Sequence, residues 1–268
     1  MTQRKNKDYA IGVFDSGLGG LTVVKALMQH LPHEDIVYFG DTARVPYGTK
    51  SRESIIRFSK ENVRVLMKRK VKAVVVACNS SSSYALPVLR REYPIPVIGV
   101  IEPGVRKAVS ITKNRIIGVI ATPATINSSA YLKNIKKKNA SLRVISQACP
   151  LFVPLVEEGW FHKDVTVTVA QEYLNTIKGS GVDTLILGCT HYPLLKMVLR
   201  EVMGPGVKLV DSAQEVAQEV KRVVQRKGLL REDIRKPCYE FLVSDSPQHF
   251  RNLAKRFLGY DIRKVSRV

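Results

Sequence analysis

The sequence has few acidic residues, few cysteines and no long hydrophobic run. Its longest apolar stretches, such as Ala73–Cys78, are far shorter than the roughly 20 residues that a membrane-spanning helix requires. The basic start, Met1–Asp8, leads into the short run Ala10–Phe14 and not into an apolar stretch with a cleavage site. We therefore expect no membrane span and no secretion signal, and a cytoplasmic protein.

The cysteines are too few and too widely spaced to indicate a metal site. The sequence has four, Cys78, Cys149, Cys189 and Cys238, without a Cys-x-x-Cys pair or a nearby pair of histidines. In a reducing compartment such cysteines are free thiols. No bound metal is therefore expected.

The shortage of acidic residues gives the chain a strongly positive charge. With 43 Lys and Arg against 23 Asp and Glu, the formal net charge is +20 and the pI about 9.9. Because basic domains with a pI above ~9 are typical of nucleic-acid-binding proteins, nucleic acid binding is one hypothesis. The sequence shows no zinc finger, helix-turn-helix pattern or RNA-binding aromatic signature. Nucleic acid is therefore not the partner that we expect.

Short runs rich in Val and Ile alternate with longer segments of helical period. This alternation is typical of the βα units of a parallel sheet, whose strands are buried on both faces. Two of the longer segments, Ser51–Lys70 and Ala213–Val224, carry apolar residues along one face and are predicted to be core-facing helices. The pattern predicts an α/β fold with strands at Ile11–Phe14, Ile36–Phe39, Ala73–Ala77, Val97–Gly99, Ile116–Ile120, Leu142–Ser146, Thr184–Leu187, Lys208–Val210 and Tyr239–Val243.

The two halves of the chain are weakly similar to each other. The segment Ile11–Ser16 matches Ile117–Thr122, and Val75–Ser80 matches Ile186–His191. In each half, the second of these segments ends a strand with a cysteine. We therefore predict two similar parallel-sheet α/β domains, related by a pseudo-twofold repeat, with the active site at their interface.

The first domain boundary is expected where proline and glycine interrupt the pattern, between Pro94 and Gly104. The first domain is predicted to comprise residues 1–98 together with about 210–268, and the second residues 99–209. The tail after about Val210 would then return to the first domain.

Polar clusters follow several of the predicted strands. In open α/β sheets, ligands bind outside the carboxyl ends of the strands, so these clusters are expected to converge on one site. A cysteine that ends a strand and begins a helix also lies at the positive end of the helix dipole, which favours the thiolate. The clusters are Asp15–Gly17, Asp41–Gly48, Cys78–Ser80, Ile101–Pro103 and Cys189–His191.

Two cysteines at equivalent positions of a repeat suit proton transfer on both faces of one carbon. One thiolate removes a proton from one face, and the opposite thiol delivers a proton to the other. A Cys-His hydrolase fits less well, because Cys189 and His191 are only two residues apart and no third orienting residue is evident. A disulfide oxidoreductase generally has its cysteines closer together in sequence. Racemisation or epimerisation by two bases is therefore the favoured chemistry.

Six ordered motifs carry a resemblance that extends from Ile11 nearly to the C-terminus. They are Phe14–Leu21, Gly40–Gly48, Ala77–Asn79, Gly99–Pro103, Cys149–Leu155 and Gly188–Leu194. In these motifs the chain resembles the cofactor-independent aspartate/glutamate racemase family. The resemblance implies interconversion of L- and D-glutamate, a supply of D-glutamate for peptidoglycan, and a homodimer. Aspartate remains the alternative substrate.

The family resemblance also implies roles for individual residues. It implies that Cys78 and Cys189 are the two acid/base residues, with Asp15 beside Cys78 and His191 beside Cys189. Glu158 matches a further carboxylate of the family's site, with the adjacent Glu157 as the alternative.

Substrate contacts implied by position are Asp15, Ser16, Tyr47, Gly48, Asn79, Ser80, Thr190 and His191. Many relatives have threonine where this chain has Ser80, which keeps the hydroxyl but lacks the stiffening methyl group. No sequence feature indicates a Schiff-base lysine, so no pyridoxal phosphate or other cofactor is expected.

Overall fold

The computed structural model describes residues 6–268, and residues 1–5, the first part of the basic start, lie outside the described residues. The described chain forms two separate sheets flanked by helices, and every strand pair in them is parallel. The fold is therefore α/β with two parallel-sheet units, as the sequence pattern predicts. No helix in the described part of the chain combines the length and the apolar character needed to cross a membrane.

The strands are β1 Ala10–Asp15, β2 Ile36–Gly40, β3 Val71–Val76, β4 Val97–Gly99, β5 Ile116–Ala121, β6 Arg143–Ala148, β7 Thr184–Gly188, β8 Lys208–Val210, β9 Tyr239–Val243 and β10 Ser266–Arg267. The helices are α1 Leu21–His30, α2 Arg52–Met67, α3 Asn79–Tyr84, α4 Leu86–Glu92, α5 Ile101–Ile111, α6 Pro123–Asn127, α7 Ala130–Lys138, α8 Phe152–Glu157, α9 Asp164–Gly179, α10 Lys196–Met203, α11 Ala213–Arg226 and α12 Pro247–Leu258.

The two sheets repeat the same strand arrangement. The first has the spatial order β10-β9-β2-β1-β3-β4 and the second β6-β5-β7-β8, so the β2-β1-β3-β4 part of the first corresponds to the whole of the second. The register corresponds as well, because Phe14 pairs with Val76 in the first sheet and Ile120 pairs with Leu187 in the second. These are the residues that the sequence repeat aligns. The repeat in the sequence is therefore a repeat in the structure.

Burial of the strands on both faces explains their composition. All six residues of β1 and of β3 are buried, because helices cover each face of the sheet. Among the helices, α2 begins at Ser51, whose hydroxyl oxygen accepts a hydrogen bond from the Ser54 N–H, and it buries Ile55, Val63 and Leu66. The helix α11 buries Val216, Val220 and Val224 at four-residue spacing. Both helices predicted from periodicity are therefore confirmed.

All nine strands predicted from the sequence are present, and the tenth, β10, was not predicted. It is only two residues long and polar, so it carries no apolar signal. Both β9 and β10 belong to the first sheet, although they follow the whole second sheet in the sequence. This return of the chain favours the predicted division into residues 1–98 with about 210–268 and residues 99–209, which stays a prediction.

One ion pair is buried at the amino-terminal end of the first sheet. The Lys72 ammonium pairs with the Glu34 carboxylate and donates to the Lys7 carbonyl at 2.7 Å, and neither charged side chain is more than 2% exposed. The second Glu34 oxygen accepts the Arg231 backbone N–H at 2.8 Å. Burial lowers the pKa of Lys72. Each charge therefore depends on its partner, because an isolated charge here would be deprived of water.

We expect Lys72→Met to lower the free energy of unfolding by about 3–5 kcal/mol, since it leaves the Glu34 carboxylate buried without its cation. Urea denaturation measures this loss. The double variant Lys72→Met/Glu34→Gln should recover much of it, because no uncompensated charge remains. As a control, Lys255→Met removes a pair with Asp261 whose side chains are 61% and 72% exposed, and should cost less than about 1 kcal/mol. Equal stabilities of Lys72→Met and the unsubstituted protein would contradict this account.

Candidate active site

A small cavity lies where the carboxyl ends of the two sheets meet. Its free volume is about 20 Å³, far below the roughly 300–1,000 Å³ typical of small-molecule sites, so the two units enclose this site tightly. Both predicted bases, Cys78 and Cys189, line it. So do all the predicted substrate contacts other than Asp15: Ser16, Tyr47, Gly48, Asn79, Ser80, Thr190 and His191.

The two cysteines reach the cavity from equivalent places in the two sheets. Cys78 follows β3, and Cys189 follows β7, which occupies the same position in the second sheet. Cys78 is the residue at which α3 begins, whereas a 3-10 turn that starts at Tyr192 follows Cys189. Both are free thiols and almost fully buried. The cavity therefore has one thiol from each sheet.

The surroundings of Cys78 hold its sulfur in the protonated form. Burial, and secondarily the charge of Asp15, raise the pKa of the Cys78 thiol to about 12, although hydrogen bonds from Ser81 favour the thiolate. The first turn of the helix therefore favours the thiolate, as the sequence predicts, but it is outweighed by burial. The loss of hydration exceeds what the first turn of a six-residue helix supplies.

Cys189 has a cationic partner instead. Its Sγ lies 3.8 Å from Nδ1 of His191, and Nε2 of the same ring lies 3.1 Å from Oε1 of Glu157. Burial disfavours the charged imidazole, but the hydrogen bonds with Cys189 and Glu157 outweigh it and raise the pKa of His191 to about 10. With both ring nitrogens protonated, Nδ1–H donates to the sulfur and Nε2–H to the carboxylate. The arrangement places the positive charge of His191 beside the sulfur of Cys189.

The carboxylate at this end of the site is Glu157, not Glu158. Glu157 is the last residue of α8 and contacts His191, whereas Glu158 caps the helix and is exposed. The choice of Glu158 from the sequence is therefore corrected by the helix geometry. Val153, which lines the cavity, lies four residues before Glu157 and so on the same helix face.

Asp15 lies behind the cavity wall at the end of β1. Its carboxylate is fully buried, with Oδ2 accepting the Gly17 N–H at 3.1 Å and Oδ1 accepting the Thr190 hydroxyl at 3.4 Å. Burial raises the pKa of Asp15, and the charge of His191 opposes that rise. Asp15 therefore links the two units and also sets the potential at Cys78.

Close approach of the two units requires glycine at two positions. A Cβ at Gly19 would lie 2.2 Å from Oγ1 of Thr190, and one at Gly48 would lie 2.4 Å from Cβ of Thr122. Neither gap admits a side chain. Gly19 and Gly48 therefore allow the two units to pack directly against each other.

Hydroxyl and amide groups form the rest of the wall. The hydroxyl of Ser80 lies 3.0 Å from that of Thr122 and 3.3 Å from that of Thr125, and the two threonine hydroxyls are 3.2 Å apart. The Tyr131 hydroxyl donates to Oδ1 of Asn79 at 2.7 Å, which fixes the Asn79 amide from the second unit. These groups offer several neutral hydrogen-bond donors to a carboxylate in the cavity.

Three residues at or beside the cavity lie outside the polar clusters predicted from the sequence: Thr122, Thr125 and Val153. Thr122 had a usable signal, because the internal repeat aligns it with Ser16, a predicted contact. Thr125 and Val153 reach the site through short helices whose direction the sequence does not indicate.

The fold and the site together define an enzyme in which two buried thiols, one from each of two repeated α/β units, line one small cavity with several hydrogen-bond donors. A model of the Asp/Glu/Hydantoin racemase family matches residues 20–220. The chain belongs to that family and is an amino-acid racemase, an isomerase.

Close relatives extend over almost the whole chain. A glutamate racemase from Geobacter metallireducens is 51% identical over 259 residues, which are 97% of this chain and 96% of the relative. The crystal structure of a glutamate racemase isoform from Bacillus anthracis superposes with a TM-score of 0.94 at 40% identity, covering 98% of both chains. That of a glutamate racemase from Francisella tularensis in complex with D-glutamate superposes with a TM-score of 0.92 at 42% identity, again covering 98% of both.

Substitution of Glu157 tests the electrostatics of this site. We expect Glu157→Gln to lower the pKa of His191 from its value of about 10, because the charge and hydrogen bond of the carboxylate help to keep the imidazole protonated. NMR titration of the His191 ring measures the change. Glu158→Gln is the matched control and should leave this pKa unchanged. A shift in the Glu158 variant and none in the Glu157 variant would refute the assignment.

Proposed function

We propose that this racemase interconverts L- and D-glutamate by a two-base mechanism in which Cys78 and Cys189 act on opposite faces of the substrate Cα. The observation that carries the proposal is the pair of buried thiols, which come from equivalent strand ends of two repeated sheets and line one small cavity. A mechanism that used only one catalytic thiol would not require a second thiol in the same cavity.

Cys189 is the base of the resting enzyme in this proposal. Its thiolate is stabilised by the Nδ1–H of a protonated His191, and the charge of that imidazolium is balanced by Glu157. The thiolate takes the Cα proton of one enantiomer, and the electron pair left on Cα is delocalised into the substrate carboxylate. Cys189 thereby becomes a neutral thiol.

Cys78 is the acid of the resting enzyme. Its raised pKa keeps the proton on the sulfur until Cys189 has deprotonated Cα. The Cys78 thiol then donates its proton to Cα from the opposite face. The enzyme then carries its thiolate on Cys78 and its proton on Cys189, which is the state needed for the opposite enantiomer. Asp15 is buried near Cys78 and has a raised pKa. Its protonation would therefore respond when the negative charge moves from Cys189 to Cys78.

The cavity wall has to stabilise the carbanion, because the Cα–H of an amino acid is a much weaker acid than a thiol. The hydroxyls of Ser80 and Thr122 and the amide of Asn79 can donate to the substrate α-carboxylate. Such hydrogen bonds strengthen as charge builds on the carboxylate during deprotonation. Exclusion of water from a site this small increases the effect.

Glutamate is the proposed substrate because the relatives that cover nearly the whole of this chain are glutamate racemases, one of them crystallised with D-glutamate. Aspartate would differ by one methylene. The proposed role in the cell is the supply of D-glutamate for peptidoglycan in the cytoplasm, by a homodimer that needs no cofactor. The +20 charge would favour the encounter with an anionic amino acid.

We expect Cys78→Ala and Cys189→Ala each to reduce racemisation by roughly 100- to 10,000-fold or more, because each removes the proton donor or acceptor on one face. Circular dichroism with L- and D-glutamate, without added cofactor, measures the loss. In deuterated water, each variant should retain Cα–H exchange with only one enantiomer, and the two variants with opposite ones.

The control for both variants is Cys238→Ala, which removes an exposed thiol just before β9, at the opposite end of the first sheet from the cavity. It should racemise glutamate at the unsubstituted rate. Near-normal turnover in either Cys78→Ala or Cys189→Ala would exclude the two-base mechanism. Faster racemisation of aspartate than of glutamate in the same assay would exclude the proposed substrate.

A further inference from the structure

The last part of the chain is joined to a cavity-lining segment by a group of hydrogen bonds between two turns. The turn after β9, at Ser244 and Asp245, lies against the 3-10 turn Thr42–Arg44 that follows β2. The Thr42 hydroxyl donates to the Asp245 carbonyl at 2.5 Å and accepts the Asp245 N–H at 2.9 Å. The Ser244 N–H donates to the Gly40 carbonyl at 3.1 Å. The two turns therefore form one rigid unit.

Within this unit, Ser244 contacts a buried carboxylate. Its hydroxyl donates to Oδ1 of Asp41 at 2.9 Å and accepts the Ala43 N–H at 2.9 Å. The other Asp41 oxygen, Oδ2, accepts Nε–H of Arg44 at 2.6 Å and the Tyr47 hydroxyl. Asp41 is fully buried, so its orientation is set by these three side-chain donors.

Tyr47 is the side chain that carries this arrangement into the cavity wall. Its hydroxyl donates to Asp41 and accepts the Asn62 side-chain N–H at 3.0 Å, and the residue is almost fully buried. Burial, followed by the charge of Asp41, raises the pKa of Tyr47, so the phenol stays neutral and serves as an anchor. The next residue, Gly48, packs directly on Thr122 of the second unit.

We propose that Ser244 is a positioning residue for substrate binding, which acts from outside the cavity through Asp41 and Tyr47. It holds one oxygen of the carboxylate and so turns the other toward the Tyr47 phenol, which fixes the segment Pro46–Gly48 along one side of the cavity. Because this segment contacts the second unit, its position also sets the width of the closed site. The inference rests on the proposed function and adds to it a residue that touches no substrate.

The test is Ser244→Ala, assayed with glutamate. Loss of the hydroxyl leaves Oδ1 of Asp41 without this donor. We expect KM to rise roughly 3- to 10-fold, with a smaller change in kcat. This rise corresponds to only part of the free energy that a hydrogen bond to a charged group contributes. Ser244→Thr keeps the hydroxyl and should restore KM. The variant Tyr47→Phe should raise KM as well, and Ser244→Ala/Tyr47→Phe should have the KM of Tyr47→Phe alone, because the two groups act in series.

Thr184→Val is the matched control. It also removes a hydroxyl that donates to a carboxylate, in this case Oδ1 of Asp183 at 2.8 Å. This hydrogen bond lies at the start of β7, whereas Cys189 follows the other end of the strand. It should lose stability on urea denaturation while KM stays unchanged. Equal KM values for Ser244→Ala and the unsubstituted enzyme, with only stability reduced, would overturn the inference.

Calorimetric titration with D-glutamate separates this inference from the proposed function. If the unsubstituted enzyme binds and racemises glutamate and Ser244→Ala binds it equally tightly, the positioning role fails and the function stands. If the unsubstituted enzyme binds glutamate without racemising it, the proposed function fails. Weaker binding by Ser244→Ala then still supports the positioning role.

Discussion

Exclusion of water from the site is the condition on which the rest of the structure depends. A sulfur anion without hydration must be balanced by fixed groups, and burial is what raises the pKa of Cys78 to about 12. The same burial forces His191 to keep both of its partners, since an imidazolium without them would lose its proton. The chemistry is therefore determined by which groups the fold places beside each thiol.

The two sheets repeat in backbone but not in electrostatics. The repeat aligns Asp15, whose charge raises the pKa of Cys78, with Ala121 in the second sheet. It aligns His191, which supports Cys189, with Ser80 in the first. Each thiol has thus acquired its charged partner from a different strand end. The backbone therefore presents the two thiols alike, while the charged groups beside them differ.

The sequence predicts the sheets well because buried parallel strands have a composition that few other elements share. All nine predicted strands are present, and the residues that the internal repeat aligns pair in the same way in both sheets, Phe14 with Val76 and Ile120 with Leu187. The same repeat aligns the two cysteines, and both line one cavity.

What the sequence predicts poorly is the part of the site that depends on how short helices are rotated. Glu157 and Glu158 are adjacent and chemically identical, and only the rotation of α8 brings one of them to His191. The protonation state of Cys78 likewise depends on how completely the second unit covers it, which no local pattern records. The link from Ser244 to Tyr47 joins residues that are distant in sequence and meet only after folding.

The return of the chain to the first sheet has a consequence for synthesis on the ribosome. The second sheet emerges complete, from β5 to β8, before β9 and the turn at Ser244 are made. Until then β2 has an open edge and Asp41 lacks one of its donors. A growing chain therefore holds both thiols well before it holds a finished wall around them.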